Sequence, residues 1–185
     1  MKLKNVADII FSFPTKDNSD FPIYEKWLTT ASLLEYNEIG KVEKSCEWKI
    51  DRNYRVYKGD IIMKRVRPQY VNYINKDIEC YIGQNLAIIR ANELVHSKYL
   101  AYIIDNNIKS LGVVEVGSVV PAIKRKDMEE LDIGVLPSMR VQKAIGELWW
   151  LQKEKIMYSK NLIELEEKIL NKKIEKLLKD KGELL

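Results

Sequence analysis

A seven-residue repeat of apolar side chains near the C-terminus limits the folds open to this chain more than any other feature. Its positions are Trp149, Ile156, Ile163, Leu170 and Leu177, with Leu148, Leu162 and Ile169 beside them and Ile145 and Ile174 extending the stripe. Most of the remaining positions are Lys or Glu, and Pro137 is the last proline. A sustained heptad of this kind predicts an amphipathic α-helix whose apolar face packs against other helices.

The predicted helix is too long to be covered by the rest of the chain. About 40 residues at a rise of 1.5 Å make a rod of roughly 60 Å. We therefore expect a partner helix from another chain, and the five heptad residues are its predicted contacts. The second heptad position carries Gln152, Ser159 and Glu166. These polar side chains depart from a simple two-stranded zipper and favour a broader face against more than one helix.

The residues before the helix show a mixed pattern, which predicts an α+β globular domain over residues 1–137, followed by a helical region over 138–185 that pairs with another helix. Tyr54–Tyr57, the turn Lys58–Asp60 and Ile61–Met63 are typical of strand, turn and strand. Leu86–Arg90 is a short apolar run that favours a buried strand. Ser97–Asn106 has helical spacing with Ser97 as its cap. Further predicted features are an extended segment over Val113–Val120 and long loops at residues 14–22, 36–53 and 64–80.

Composition narrows the possible environments and partners. The chain has 185 residues, 46% of them hydrophobic, and a formal net charge of +4. This charge is modest, so a nucleic-acid hypothesis must rest on where the cations lie. Cys46 and Cys80 are far apart and belong to no metal-ligand spacing, which favours reduced thiols. With no secretory signal and no long apolar run, a cytoplasmic protein without a membrane span is expected.

The motifs of common enzyme classes are missing from the sequence. There is one histidine, His96, and a lone histidine is typical of a surface or cap position more than of catalysis. No phosphate-binding glycine loop, nucleophile elbow or dinucleotide loop is present. We therefore predict no catalytic residue, no metal and no cofactor.

Positive charge and base-reading side chains concentrate directly after the strand at Ile61–Met63. The segment runs Lys64-Arg65-Val66-Arg67-Pro68-Gln69-Tyr70. Arg65 and Arg67 alternate, so continued strand geometry would put both on one side. Arginine and glutamine can bind guanine and adenine edges in the major groove, whereas Lys64 suits phosphate. A basic surface loop without a ligand remains an equal alternative.

Two other segments carry similar groups. Lys124, Arg125 and Lys126 are consecutive cations before a predicted helix start, and they suit phosphate anchoring or a simple exposed turn. Asn85, in Gly83-Gln84-Asn85, is an amide just before a strand, and turn chemistry explains it equally well.

Several segments, in this order, resemble the specificity subunits of Type I restriction–modification systems. They are Lys2-Leu3-Lys4-Asn5-Val6-Ala7-Asp8-Ile9, Lys58-Gly59-Asp60-Ile61-Ile62, Gln84-Asn85-Leu86-Ala87-Ile88-Ile89-Arg90, Tyr99-Leu100-Ala101-Tyr102, Gly117-Ser118-Val119-Val120-Pro121-Ala122-Ile123, Leu131-Asp132-Ile133-Gly134-Val135-Leu136-Pro137 and Val141-Gln142-Lys143-Ala144-Ile145. The resemblance covers nearly the whole chain. It departs at Ser12-Phe13, where the family usually has a glycine, and at Pro137-Ser138, where a second proline is usual.

The resemblance implies a non-catalytic subunit that binds double-stranded DNA and directs methyltransferase subunits, and through them a restriction subunit, to a bipartite site. Full-length members carry two recognition domains and two helical spacers, whereas this chain has one of each. A half-size subunit is therefore implied, with residues 1–137 as its DNA target-recognition domain and residues 138–185 as its helical spacer and dimerisation region. The resemblance also implies a second copy, paired through antiparallel helices. The alternatives are an oligomeric scaffold without DNA specificity and, third, a small hydrolase with an unrecognised site.

Overall fold

Two β-sheets and one very long helix make up the computed structural model, which describes residues 1–11, 24–46, 54–108 and 122–180. The strands are β1 (Ala7–Phe11), β2 (Tyr24–Leu28), β3 (Glu43–Cys46), β4 (Ile61–Lys64), β5 (Val71–Tyr73), β6 (Tyr81–Ile82) and β7 (Leu86–Ala91). The α-helices are α1 (Ser97–Asn107), α2 (Arg125–Glu129) and α3 (Met139–Asp180). This is the predicted α+β class with a C-terminal helix.

The larger sheet is antiparallel with the strand order β1-β7-β4-β5. Strands β4 and β5 and the first part of β7 are buried on both faces. Ile61 and Ile89 point to the layer formed by α1 and α3, while Ile62 and Ile88 point to the opposite side. This two-sided burial explains why these strands are continuous apolar runs and lack the polar alternation of a half-exposed strand. The predicted strand at Leu86–Arg90 is confirmed.

The smaller sheet covers the second face of the larger one. It has the order β3-β2-β6, with β2 antiparallel to β3 and parallel to β6. Leu28 and Ile82 from this sheet join Leu33, Val56 and Cys80 in the core between the sheets. The predicted loops at 36–53 and 64–80 are therefore partly wrong, because β3 and β5 lie within them.

The turn before β4 is held by a buried ion pair. Gly59 adopts a φ of +95°, which favours glycine. The Asp60 carboxylate accepts the backbone N–H of Tyr57 at 2.8 Å and two hydrogen bonds from Arg90, both at 2.8 Å. The predicted turn is confirmed. The strand predicted at Tyr54–Tyr57 is wrong, because this segment forms only an isolated bridge between Arg55 and Tyr81, while the strand partners of β4 are β5 and β7.

Helix α1 lies beside the first part of α3 and joins it to the larger sheet. Trp150 is buried there, with its ring 5.5 Å from that of Tyr73 in an edge-on contact. The predicted helix at Ser97–Asn106 is confirmed, but Ser97 does not cap it. His96 occupies the cap position without a side-chain bond, and the Ser97 hydroxyl lies 3.2 Å from the Tyr73 hydroxyl. The extended segment predicted at Val113–Val120 is outside the described residues.

Candidate nucleic-acid interface

Three segments that are far apart in the sequence meet at one end of the larger sheet. Lys64 ends β4 and pairs with Leu86, the first residue of β7. The backbone N–H of Arg65 donates to the Asn85 carbonyl, and the Ile123 N–H donates to the Arg65 carbonyl, both at 2.8 Å. The basic loop, the Asn85 turn and the start of the Lys124–Lys126 segment therefore form one surface, which we call the basic end of the sheet.

Most of the predicted site side chains on the basic end are exposed to solvent. They are Arg67, Gln69, Asn85, Lys124, Arg125 and Lys126. Arg67 and Asn85 also have positive φ angles, of 47° and 63°. Asparagine tolerates this region, but for arginine it is uncommon and costs free energy, and such strain clusters at functional positions. Strand β4 ends at Lys64, so the strand geometry on which the predicted alternation of Arg65 and Arg67 depends does not continue through the loop.

Lys64 and Tyr70 contact each other and are half-buried. The Lys64 ammonium lies 3.3 Å from the Tyr70 hydroxyl and 5.3 Å from the centre of its ring. The Tyr70 hydroxyl donates to the Leu33 carbonyl at 2.9 Å. This pair attaches the basic loop to the core between the two sheets. The contacts restrict the rotation of both side chains.

Arg65 and Arg125 reach back to β1, a contact that sequence reasoning missed. The Arg65 guanidinium carbon lies 4.2 Å from the centre of the Phe11 ring. Arg125 donates to the Ile9 carbonyl at 2.8 Å and to the Glu129 carboxylate at 3.0 Å. Both arginines are thus fixed on the sheet, although the Arg125 side chain stays 56% exposed. No local sequence pattern signals these contacts, because they depend on which strands become neighbours.

Helix α3 has one face on the globular domain and another open to solvent. Trp149 is half-buried, and its indole N–H donates to Asp105 at 3.3 Å. Ile156 is also half-buried, whereas Ile163, Leu170 and Leu177 are exposed. Trp149 and Ile156 thus face the domain, whereas the last three residues of the heptad series are open to solvent. Further exposed apolar side chains on this helix are Leu148, Leu151, Tyr158, Leu162, Leu165, Ile169 and Ile174.

The helix continues well past the globular domain. From Tyr158 to Lys179, every side chain except that of Leu178 is exposed. At 1.5 Å per residue this part is about 35 Å long. The prediction that the domain cannot cover the whole stripe is confirmed.

Burial shifts the pKa of some titratable side chains in the described ranges. Burial lowers the pKa of His96 and raises the pKa of Cys80 to about 12. Burial by itself acts in these directions, because it disfavours the charged form of each group. Among the described residues, no three histidine, cysteine or acidic side chains are grouped so as to hold a metal ion. Within the same ranges, no helix has both the length and the apolarity needed to cross a membrane.

Comparison with known proteins identifies the fold from structure alone. No protein-family model and no curated protein sequence matches the chain. Among solved structures, 99% of the chain superposes on a chain from a study of complex assembly and conformational transition of the type I R-M system. The TM-score is 0.61 and the identity 20%.

Two further solved structures agree. The HsdS subunit from Thermoanaerobacter tengcongensis matches over 88% of the chain, with a TM-score of 0.60 and 16% identity. The type I restriction–modification S subunit from M. genitalium matches over 97%, with a TM-score of 0.63 and 16% identity. The matched part is only 43–45% of each of the three chains. The present chain thus spans less than half the length of these three chains. Its fold is that of a type I S subunit. The fold implied by the sequence resemblance is confirmed.

Proposed function

We propose that this chain is the sequence-recognition subunit of a Type I restriction–modification complex and contributes no catalytic residue itself. The observation that carries the proposal is the S-subunit fold, which extends over 97% of the chain. The basic end of the sheet supplies a plausible recognition surface, because it groups arginine, lysine and amide side chains on loops held by a rigid sheet. Loops on a rigid scaffold are the usual location of binding residues.

Within this surface, we assign some side chains to phosphate contacts and others to base contacts. Lys64, Lys124, Arg125 and Lys126 bind phosphate, which positions the duplex without reading its sequence. Arg67, Gln69 and Asn85 are the exposed candidates for base edges in the major groove. Arg65 and Tyr70 complete the predicted reading set from less exposed positions.

The proposed partners bind the exposed apolar side chains of α3. Ile163, Leu170 and Leu177 pack against a second copy of the chain, whose helix runs antiparallel about a twofold axis. The two basic ends then lie at opposite ends of the paired rods and read two inverted half-sites, because the symmetry of a dimer is mirrored in its site. The remaining helical surface docks methyltransferase subunits, which in turn recruit a restriction subunit.

The decisive experiment is purification of the tagged chain from its native cell, followed by mass determination and a methylation assay on genomic DNA. We expect two copies of the chain with methyltransferase subunits, and methylation of one bipartite palindrome. A dimer without a methyltransferase and without DNA preference would contradict the proposal. That result would favour the oligomeric scaffold, which the exposed apolar side chains of α3 also fit.

Variants of the purified complex test the recognition surface. Arg67→Ala should relax one position of the methylated sequence and cost about 1–3 kcal/mol of binding, whereas Lys124→Ala should weaken all sequences alike. Lys76→Ala is a matched control, because Lys76 is exposed and follows β5 at the opposite end of the sheet. Unchanged sequence preference in Arg67→Ala would remove Arg67 from the reading set.

A further inference from the structure

A cleft of about 360 Å³ opens where the globular domain meets α3, at the end of the larger sheet opposite the basic end. This volume lies in the range of ligand sites, roughly 300–1,000 Å³. The walls of the cleft are the turn at Glu35–Asn37, the chain that follows β5, and the face of α3 between Trp150 and Tyr158. None of the described residues that line it belongs to the proposed DNA surface.

The walls of the cleft combine aromatic rings with an excess of negative charge. The rings are those of Tyr36, Tyr73, Trp150 and Tyr158. The charged side chains are Glu38, Glu154 and Lys76. Two carboxylates against one ammonium make the lining negative, although the whole chain carries a net charge of +4. Ring faces attract cations through their quadrupole, and carboxylates attract them through charge. The lining therefore suits a positively charged group and disfavours an anion such as phosphate.

Lys98 shows how two of these rings hold a cation on the side of the cleft formed by α1. Its ammonium lies 5.9 Å from the Tyr73 ring and 5.2 Å from the Trp150 ring. The Glu147 carboxylate lies 2.7 Å from the same ammonium and balances its charge. The arrangement consists of a lysine, the faces of aromatic rings and one carboxylate.

Lys153 repeats this arrangement on α3. Its ammonium lies 6.0 Å from the Tyr36 ring and 5.7 Å from the Trp149 ring, and it contacts the Asp105 carboxylate at 2.7 Å. Rings that line the cleft thus already take part in two cation contacts on their outer sides. In both contacts the cation is a lysine of this chain with a carboxylate of its own.

Glu38 and Glu154 bring carboxylates to the cleft without a cation of this kind. Both side chains are half-buried. Among the described residues, neither of them takes part in an ion pair. The helical neighbours of Glu154, three and four residues away, are Trp150, Leu151, Met157 and Tyr158. None of these neighbours is cationic, so α3 itself supplies no charge to balance Glu154. Rings and carboxylates are therefore grouped here as they are around Lys98 and Lys153.

The turn that carries Tyr36 and Glu38 is held in a costly conformation. Tyr36 and Asn37 have φ angles of 58° and 65°, which are uncommon for a tyrosine. The Asn37 side-chain oxygen accepts the Tyr73 N–H at 2.8 Å, and the buried Asn72 amide donates to the Glu38 carbonyl at 3.1 Å. Strain of this kind persists where the surroundings fix it, and it clusters at ligand clamps. One wall of the cleft is thus in place before a ligand binds, which reduces the entropy lost on binding.

We propose that this cleft binds one arginine or lysine side chain, presented by a protein that packs on α3. The aliphatic stem of such a side chain packs on the rings and on Met157, and its charged end contacts Glu38 and Glu154. A cationic side chain is the one class of protein side chain that satisfies both the apolar and the acidic part of the lining.

The position of Tyr158 favours a protein as the source of the cation. Tyr158 lines the cleft and is exposed. Leu162 and Leu165, four and seven residues further along the same face of α3, are exposed as well. A partner that covers this apolar face also closes the cleft, and it brings its own side chains to the carboxylates.

This face of α3 differs from the one assigned above to a second copy of the chain. Tyr158 lies five residues before Ile163, which is about 140° around the helix. The occupant is therefore a different subunit. This part of the inference rests on the proposed function, in which methyltransferase subunits dock on the remaining surface of α3.

The test uses the full-length chain with isotope-labelled methionine methyl groups, because Met157 lines the cleft while Met63 and Met128 lie in the core. The probe is Nα-acetyl-arginine amide, and the control ligand is Nα-acetyl-citrulline amide, which has nearly the same shape and no charge. We expect a saturable shift of the Met157 signal with a dissociation constant of about 1–10 mM for the arginine derivative. The citrulline derivative should bind about tenfold more weakly. Equal binding of the two derivatives would overturn the proposal.

Variants of the charged lining test which groups hold the cation. Glu38→Gln/Glu154→Gln should weaken binding of the arginine derivative about tenfold, because both carboxylates lose their charge. Lys76→Met should strengthen it about twofold, because it removes the competing ammonium. Glu164→Gln is the matched control, since Glu164 is an exposed glutamate further along α3.

Unchanged affinity in Glu38→Gln/Glu154→Gln, with native signals from the core methionines, would overturn the assignment. Weaker binding in Lys76→Met would do the same. If the double variant loses the core signals, Glu154→Gln alone decides, because this side chain lies on the helix surface and makes no ion pair with the described residues.

The same Met157 signal identifies the source of the cation. We expect the arginine derivative to shift it in the dimer of the chain but not in the complex with methyltransferase subunits, where a partner side chain already occupies the cleft. An equal shift in the complex would overturn the partner assignment in favour of a free small cation. A shift confined to the monomeric variant Ile163→Lys/Leu170→Lys would overturn it in favour of a second copy. If no methyltransferase subunit copurifies, the proposed function fails and the partner assignment fails with it, while titration of the isolated chain still decides whether the cleft binds a cation.

Discussion

Replacing Arg90 by leucine should destabilise the globular domain strongly, because it leaves a buried carboxylate with a single hydrogen-bond donor. The Asp60 side chain is 2% exposed and accepts two bonds from Arg90 and one from the Tyr57 N–H. Removing one partner of a fully buried ion pair costs about 3–5 kcal/mol. The Arg90 side chain is 31% exposed, so solvent already screens part of the attraction. We therefore expect a loss of about 2–3 kcal/mol in the free energy of unfolding.

Urea denaturation followed by circular dichroism and tryptophan fluorescence measures this loss. Lys4→Met is the control, because it breaks a surface ion pair with Glu130 in which both side chains are nearly half exposed, and such pairs contribute little. The double variant Arg90→Leu/Asp60→Asn should be more stable than Arg90→Leu alone, since it also removes the unpaired charge. The reasoning is refuted if Arg90→Leu costs no more than Lys4→Met, or if the double variant simply adds two losses.

Three further predictions concern the helix and two titratable groups. Ile163→Lys with Leu170→Lys should convert the dimer to a monomer in sedimentation velocity, and an unchanged dimer would refute the proposed interface. Burial lowers the pKa of His96 in the folded chain, so the folded state binds protons less readily there than the unfolded state does. The stability associated with His96 is therefore present above about pH 6.5 and is lost as the pH falls through the folded pKa. In His96→Asn, the urea concentration at the midpoint of unfolding should depend less on pH between about pH 7.5 and 5 than it does in the wild type. Burial raises the pKa of Cys80 to about 12, so in a Cys46→Ser background its thiol should react with a disulfide reagent far more slowly when folded than in urea.

Features with a visible period could be predicted from the sequence, and features that depend on long-range pairing could not. The heptad identifies α3 because each apolar residue is seven positions from the next. Strand β2 was missed because Tyr24–Leu28 contains two charged residues and gains its place from β3 and β6. The seven-residue period also does not show which part of the protein packs against the apolar face of the helix. Trp149 follows the heptad, yet it faces the domain because its indole donates to Asp105.

The candidate interface was likewise predictable in part, because its segments stand out in the sequence but their spatial arrangement does not. Composition indicated three segments with cations and amides, and the resemblance placed them in one kind of domain. Their convergence at one end of the sheet depends on the register of β4 with β7 and on the Arg65–Ile123 hydrogen bond. The contacts of Arg65 with Phe11 and of Arg125 with Ile9 join residues more than 50 positions apart, and local patterns carry no information about such pairs.

The free part of α3 acts as a lever whose arm is about 35 Å long. A tilt of about 5° at the domain moves its tip sideways by roughly 3 Å, which is close to the width of one atom. Small changes of angle at the base therefore become displacements at the far end that side-chain packing would register. This amplification gives a reason for the dense attachment of α3 at Glu147, Trp149, Trp150 and Lys153. An arm that is to meet a partner at a fixed position needs its stiffest joint where it begins.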